Sequence, residues 1–186
     1  MMKNYDFCER VLFSKEEISS AVSRIASLIN EEYKGEEVIF LPVLNGAFMF
    51  ATDLVKEITL KCSIDFIQCS TYEDGVSSTN KFVMKKDLSK TIEGKNVIVV
   101  EDILDSGYTL KNLVAYLKSK NPKSVKTAVF MDKKARRTED ITADYVAVEL
   151  NEDAFVIGYG LDYAEKYRNV PYVGVLKPEI YTHEEA

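Results

Sequence analysis

The sequence predicts an α/β protein with a central parallel sheet and a small additional lobe. Three observations carry that prediction. Val97-Ile98-Val99-Val100 is a run of four β-branched residues with no polar alternation, the pattern of a strand buried on both faces. Strand-like and helix-like stretches alternate through the middle of the chain and give way to closely spaced strands near its end. At 186 residues the chain is long enough for one sizeable core, and nothing in it demands a second.

Residues 1–13 are too short and mixed to classify, although Phe7, Val11, Leu12 and Phe13 suggest a segment that docks. Ser14 and Glu17 form a capping-box pattern, and Ile18, Ala21, Val22, Ile25, Leu28 and Ile29 then line one face of a helix ending near Lys34-Gly35. Residues 38–44 read as a buried strand with Pro42 near its end, where a missing N–H is tolerated. Asn45-Gly46-Ala47 opens a second helix that turns Ala47, Phe50, Ala51, Leu54 and Ile58 to the core. Gly46 at this turn either cradles an anion or simply permits a tight bend, and local sequence does not choose between them.

Residues 64–69 read as a third strand running into Ser70-Thr71-Tyr72, with Cys69 in its core. Residues 73–80 are the most polar and least periodic stretch, which reads as a mobile loop or an ordinary exposed hairpin. A return strand over 81–86 and a turn through Gly94 lead into the strand at 97–100.

Directly after that strand stand Glu101 and Asp102, then Asp105, then a turn through Ser106 and Gly107. A helix starts at Thr109, because Leu110, Leu113, Val114 and Leu117 recur at helical spacing and Asn121-Pro122 stops them. Ligands of open α/β sheets bind beyond the carboxyl ends of the strands, where a helix start offers N–H groups to an anion. A phosphate fits the turn, and the carboxylates beside it suit sugar hydroxyls or Mg²⁺. An acidic helix cap is the bland reading, but capping needs only one carboxylate.

Residues 125–131 read as the next parallel strand with Asp132-Lys133 at its tip. The cluster Lys133-Lys134-Ala135-Arg136-Arg137 reads as a solvated loop, with an RNA-binding patch as the alternative. Strands follow over 144–150, from Phe155 to Gly160, and over 172–176, separated by a compact chargeable stretch over 161–169. The remainder is a polar tail, and it holds the only histidine, His183.

A formal charge of −6 argues against general binding to nucleic acid or membrane surfaces, so an anionic substrate must meet a local positive site. One tail histidine disfavours histidine-based hydrolase triads and histidine-rich zinc sites. Cys8, Cys62 and Cys69 lack metal-ligand spacing and suit reduced thiols. Without a signal-peptide pattern or a long apolar run, the chain is expected in the cytoplasm.

The run Val100-Glu101-Asp102-Ile103-Leu104-Asp105-Ser106-Gly107 resembles the diphosphate-sugar binding motif of the type I phosphoribosyltransferases, in the form found in hypoxanthine-guanine phosphoribosyltransferases. The resemblance covers nearly the whole chain, with Leu44-Asn45-Gly46, Thr71-Tyr72, Lys133, Phe155-Val156, Asp162 and Arg168 in the expected order. It implies one domain over 1–186: a twisted parallel core over about 36–150 and a hood built from the N-terminal segment and about 151–186. It also implies purine salvage, in which the phosphoribosyl group of 5-phosphoribosyl 1-diphosphate (PRPP) passes to a 6-oxopurine with release of pyrophosphate. The implied cofactor is Mg²⁺, and the implied assembly is a homodimer or homotetramer.

The resemblance assigns roles residue by residue. Glu101 and Asp102 hold the ribose and, with Asp162, the metal; Asp105, Ser106, Gly107, Tyr108 and Thr109 hold the 5-phosphate, with the Asp105 carboxylate turned to purine N7. Leu44, Asn45, Gly46 and Arg168 bind pyrophosphate, with a cis peptide carried by Leu44-Asn45, although many relatives have a basic residue in place of Asn45. Thr71 and Tyr72 stand at the base of a closing loop, Thr where relatives have Ser. Ile103, Lys133, Phe155, Val156 and Asp162 surround the purine, and Ala154 replaces a base found in some relatives. Taken singly, Phe155 would read as core, Lys133 as surface and Arg168 as a salt-bridge partner. A receiver domain, which also carries carboxylates at strand tips, is a third reading of the acidic motif.

Overall fold

The computed structural model describes residues 6–73 and 80–182, so the expected loop tip at 74–79 and His183 lie outside the described residues. A seven-stranded sheet forms the centre. Its strands are β2 (Glu37–Leu44), β3 (Lys61–Ile64), β4 (Ile67–Glu73), β5 (Asn80–Lys86), β6 (Asn96–Leu104), β7 (Ser124–Lys133) and β8 (Tyr145–Leu150). The order is β5-β4-β2-β6-β7-β8, with β3 also paired to β2, and every pairing is parallel except β4 with β5. A separate antiparallel sheet joins β1 (Cys8–Phe13), β10 (Val173–Leu176) and β9 (Val156–Ile157).

Helices cover both faces of the large sheet. On one face α1 (Lys15–Glu32) and α2 (Phe48–Lys56) bury Ile25, Ile29, Phe50 and Leu54 against Phe40, Ile98 and Phe130. On the other, α3 (Tyr108–Lys118) buries Leu110, Leu113 and Leu117 against Leu41, Val97, Val99 and Val129. The unbroken apolar run at 97–100 is thereby explained, since its alternate residues serve two cores. Ser14 caps α1 through its Oγ, which accepts from Glu17 N–H, while the Glu17 carboxylate accepts from Ser14 N–H.

Four expectations change. The strand expected over 64–69 divides into β3 and β4, because the buried Asp65 carboxylate accepts the N–H groups of Phe66 and Ser89 and turns the chain between them. Strand β6 does not stop at Val100 but runs to Leu104, since Glu101 and Ile103 still pair with Val129 and Met131 of β7. The strand expected from Phe155 to Gly160 pairs only over β9, because Tyr159 and Gly160 take positive φ and bend away. The tail is not featureless: a short helix, α4 (Pro178–Tyr181), stacks Tyr181 on Phe155 at a 5.1 Å centroid distance.

Among the described residues, no helix is long and apolar enough to cross a membrane.

Candidate active site

The carboxyl ends of β2 and β6 and the start of α3 meet the loop that follows β9. They enclose a cavity of about 320 Å³ lined by Leu44, Gly46, Glu101, Asp102, Asp105 and Arg168, together with Ser106, Gly107, Thr109 and Asp162. A second cavity of about 190 Å³ adjoins it, walled by Lys133, Phe155 and Val156. Asp102, Ile103, Asp105 and Asp162 line both. Asn45 and Tyr108 line neither, and Thr71 and Tyr72 enter the description only as backbone, paired with Phe82 and Lys81 in the β4–β5 ribbon.

The acidic strand end is packed into place by glycine. A Cβ on Gly46 would fall 1.7 Å from Asp102 Oδ2, so the carboxylate lies directly against the loop after β2. The Leu44–Asn45 peptide in that loop is cis. A Cβ on Gly160, at φ +100°, would fall 2.1 Å from the Gly46 carbonyl oxygen. Two glycines therefore let the acidic strand end, the loop after β2 and the loop after β9 touch at one point.

Burial raises the pKa of Glu101 well above the usual carboxylate range, and the adjacent Asp102 carboxylate raises it further. Burial also raises Asp102, against the opposing hydrogen bonds from Glu101 and the Ile103 N–H and the charge of Arg168. Glu101 Oε2 and Asp105 Oδ1 are buried and meet no hydrogen-bond partner among the described residues. These oxygens are acceptors open to a cation or a donor.

Lys133 and Phe155 reverse their single-residue readings. Lys133 is only 4% exposed, and its Nζ meets Asp153 Oδ1 at 2.8 Å and donates to the Ala154 carbonyl at 3.1 Å. A lysine has three N–H donors, so one is left for the cavity. Phe155, in contrast, is 37% exposed, braced by Tyr181 and by the ring edge of Tyr163 while facing the smaller cavity. Arg168 is the salt-bridge partner its single-residue reading gave, and it also lines the larger cavity: its Nη1 reaches Asp162 at 2.9 Å and the Gly160 carbonyl at 2.9 Å, and its buried Nε has no partner among the described residues.

Several wall residues escaped the sequence reading. Cys69, read as core, also lines the larger cavity, where burial first and the Glu101 charge second push its thiol up to about 12. Arg136 lines the smaller cavity and shares Asp153 with Lys133, at 2.8 Å. The basic residues of the cluster each have an acidic partner, with Lys134 on Glu149 and Arg137 on Asp132. Local sequence does not mark the pairings with Glu149 and Asp153, which arrive from β8 and beyond it, whereas Asp132 directly precedes the cluster.

The phosphoribosyl transferase domain model matches residues 12–164. The hypoxanthine-guanine phosphoribosyltransferase of Bacillus subtilis is 43% identical over 173 residues, 93% of this chain and 96% of that protein. The bifunctional protein TilS/HprT of Listeria monocytogenes is 43% identical over 174 residues, but the chain spans only 27% of that protein's length. A crystal structure of a hypoxanthine phosphoribosyltransferase from Staphylococcus aureus matches with a TM-score of 0.91 at 40% identity, covering 96% of this chain and 98% of that one.

Proposed function

The chain belongs to the phosphoribosyl transferase family, and from that premise we propose that it is a purine-salvage enzyme joining the phosphoribosyl group of PRPP to N9 of hypoxanthine or guanine. One observation carries the reading. The acidic strand end stands where the larger cavity adjoins a smaller one with a lysine and an aromatic ring on its walls. A sugar C1 placed at that junction faces the purine on one side and the leaving pyrophosphate on the other.

Each role follows from a side chain's surroundings. The turn from Asp105 to Thr109 receives the 5-phosphate at the start of α3, where the positive end of the helix dipole favours an anion. Glu101 and Asp102 hold the ribose hydroxyls. Asp105, whose Oδ1 is unpartnered, manages the N7 proton as the base attacks. The remaining donor of Lys133 meets the purine 6-oxo group, and a 6-amino group would oppose it donor to donor. Phe155 stacks on the ring, a contact worth about 1–3 kcal/mol, with Ile103 and the Val156 backbone at its edges. Arg168 and the loop Leu44-Asn45-Gly46 receive pyrophosphate, with the Asn45 contribution coming from backbone.

Among the described residues, no three His, Cys, Asp or Glu side chains group as a metal cage. Mg²⁺ nevertheless fits the donor set, because it commonly takes only one or two carboxylates and completes its shell with water and substrate phosphates. Glu101, Asp102 and Asp162 border one cavity and offer hard oxygens, including the unpartnered Glu101 Oε2. Bound there with the diphosphate, Mg²⁺ would supply charge stabilisation for the leaving group.

The test is direct: the protein incubated with PRPP, Mg²⁺ and hypoxanthine or guanine should yield inosine or guanosine monophosphate, separated by chromatography. Failure to form nucleotide from any 6-oxopurine would refute the reading. We also propose a cytoplasmic location and a homo-oligomeric state, dimer or tetramer, which light scattering resolves.

A further inference from the structure

Of the basic residues at 133–137 that the proposed chemistry does not use, Arg137 has the most buried side chain. Arg137 lies beneath the turn that follows β6, its side chain 16% exposed and paired with the buried Asp132. Its Nη2 donates to the Leu104 carbonyl at 2.8 Å, its Nε to the Asp105 carbonyl at 2.8 Å, and its Nη1 to the Ile141 carbonyl at 2.8 Å. The next two residues continue the pattern, since the N–H groups of Thr138 and Glu139 donate to the Ser106 carbonyl at 3.0 and 3.1 Å. Three successive carbonyls, of Leu104, Asp105 and Ser106, are thus all drawn to one side by one short segment.

Those three peptides are trans, because the one cis bond among the described residues is Leu44–Asn45. In a planar trans peptide the C=O and the following N–H point in opposite directions. Holding the three carbonyls on the 137–139 side therefore turns the N–H groups of Asp105, Ser106 and Gly107 to the other side. Asp105, Ser106, Gly107 and Thr109 line the larger cavity. The packing agrees: a Cβ on Gly107 would meet Ile141 Cγ2 at 2.7 Å, Arg137 Cδ at 3.1 Å and Glu139 Cβ at 3.2 Å, so the clamp is seated tightly against the turn.

We infer that Arg137, braced by Asp132, is a positioning residue that orients the peptide N–H groups of the 105–107 turn toward the 5-phosphate. Without it a peptide could rotate and present a carbonyl oxygen, which repels a phosphate. Only a guanidinium offers five donors in a fixed planar fork, so it can serve three carbonyls and a carboxylate together. A lysine has neither the number nor the geometry. The inference rests on the reading of that turn as the phosphate cradle.

The experiment compares inosine monophosphate with inosine, which lacks only the 5-phosphate, by calorimetric titration of the unsubstituted protein, Arg137→Lys, Arg137→Met and Asp132→Asn, with thermal melting as a check of folding. Affinity for inosine monophosphate should fall about 10- to 100-fold in both Arg137 variants, and by a smaller factor in Asp132→Asn, while affinity for inosine moves less than about twofold. Equal losses for both ligands would show a merely structural residue and overturn the inference, as would unchanged affinity for the nucleotide. If the Arg137 variants do not fold, Asp132→Asn, which keeps the guanidinium but releases its brace, decides by the same ratio. Equal affinity of the unsubstituted protein for the two ligands would overturn the cradle reading itself, so the two failures are distinct.

Discussion

Asp105 is the residue on which the proposed chemistry turns. Its Oδ1 is buried without a hydrogen-bond partner among the described residues, and the residue borders both cavities. Asparagine keeps the shape but cannot exchange a proton with the purine. Asp105→Asn should therefore lower kcat by about 10²–10⁴-fold while the KM for PRPP moves only a few-fold, as read from initial rates at varied PRPP. Turnover within a few-fold of the parent would end the proton role. At this scale the sequence was informative about order and misleading about surroundings. Lys133 alone looks like surface and Phe155 alone like core, yet the lysine is buried and the ring half open. Charge and apolarity predict exposure only on average. Lys133 overrides the average because Asp153 and the Ala154 carbonyl satisfy it, and both arrive from beyond β8.

Whole elements were more legible than their ends. Helix α1 and strand β6 follow from periodicity and an apolar run, but Glu101 and Asp102, which seemed to follow β6, belong to it, because ladder pairing with β7 continues where the apolar run stops. The split of β3 from β4 was invisible for a related reason: Asp65 draws one of its hydrogen bonds from Ser89, far along the chain. Burial alone would raise the Asp65 pKa, but the N–H groups of Ser89 and Phe66, the Ser89 hydroxyl and nearby Lys86 outweigh it, and the net pKa is lowered. A lowered folded pKa means stability that is present above the ordinary carboxylate range and lost as pH falls through the folded value. Asp65→Asn should thus melt well below the parent at pH 7, and the gap should narrow toward pH 3; a gap independent of pH would contradict the ionic role. The loop contact between Gly46 and Gly160 gives a second element-scale test. Gly160→Ala places a Cβ 2.1 Å from a backbone oxygen at φ +100°, so the two loops must part. We expect a loss of about 1–3 kcal/mol in denaturant unfolding together with a raised KM for PRPP, whereas unchanged values for both would show that the loops separate freely.

At the scale of the molecule, the two sheets share one apolar core. Val156, Tyr159, Leu161 and Val173 pack in the same cluster as Phe40 and Phe130 of the large sheet and Phe50 of α2, and among the described residues only Cys8, Val170 and Tyr172 form a separate buried cluster under the small one. The small sheet therefore has too little core of its own to stand alone, and the two should unfold together. The proposed ligand reinforces this coupling, because its phosphate would sit at α3 of the large sheet and its base against Phe155 beside β9 of the small one. A ligand that binds only the folded state at about 100 times its Kd adds roughly 2.7 kcal/mol, and in a chain of this size each kcal/mol raises Tm by about 2–4 °C. Inosine monophosphate at that excess should raise Tm by about 5–11 °C in one transition, seen alike by tyrosine fluorescence and far-ultraviolet circular dichroism. Two transitions, of which the ligand shifts only one, would mean that the sheets fold as separate units and that the site does not bridge them.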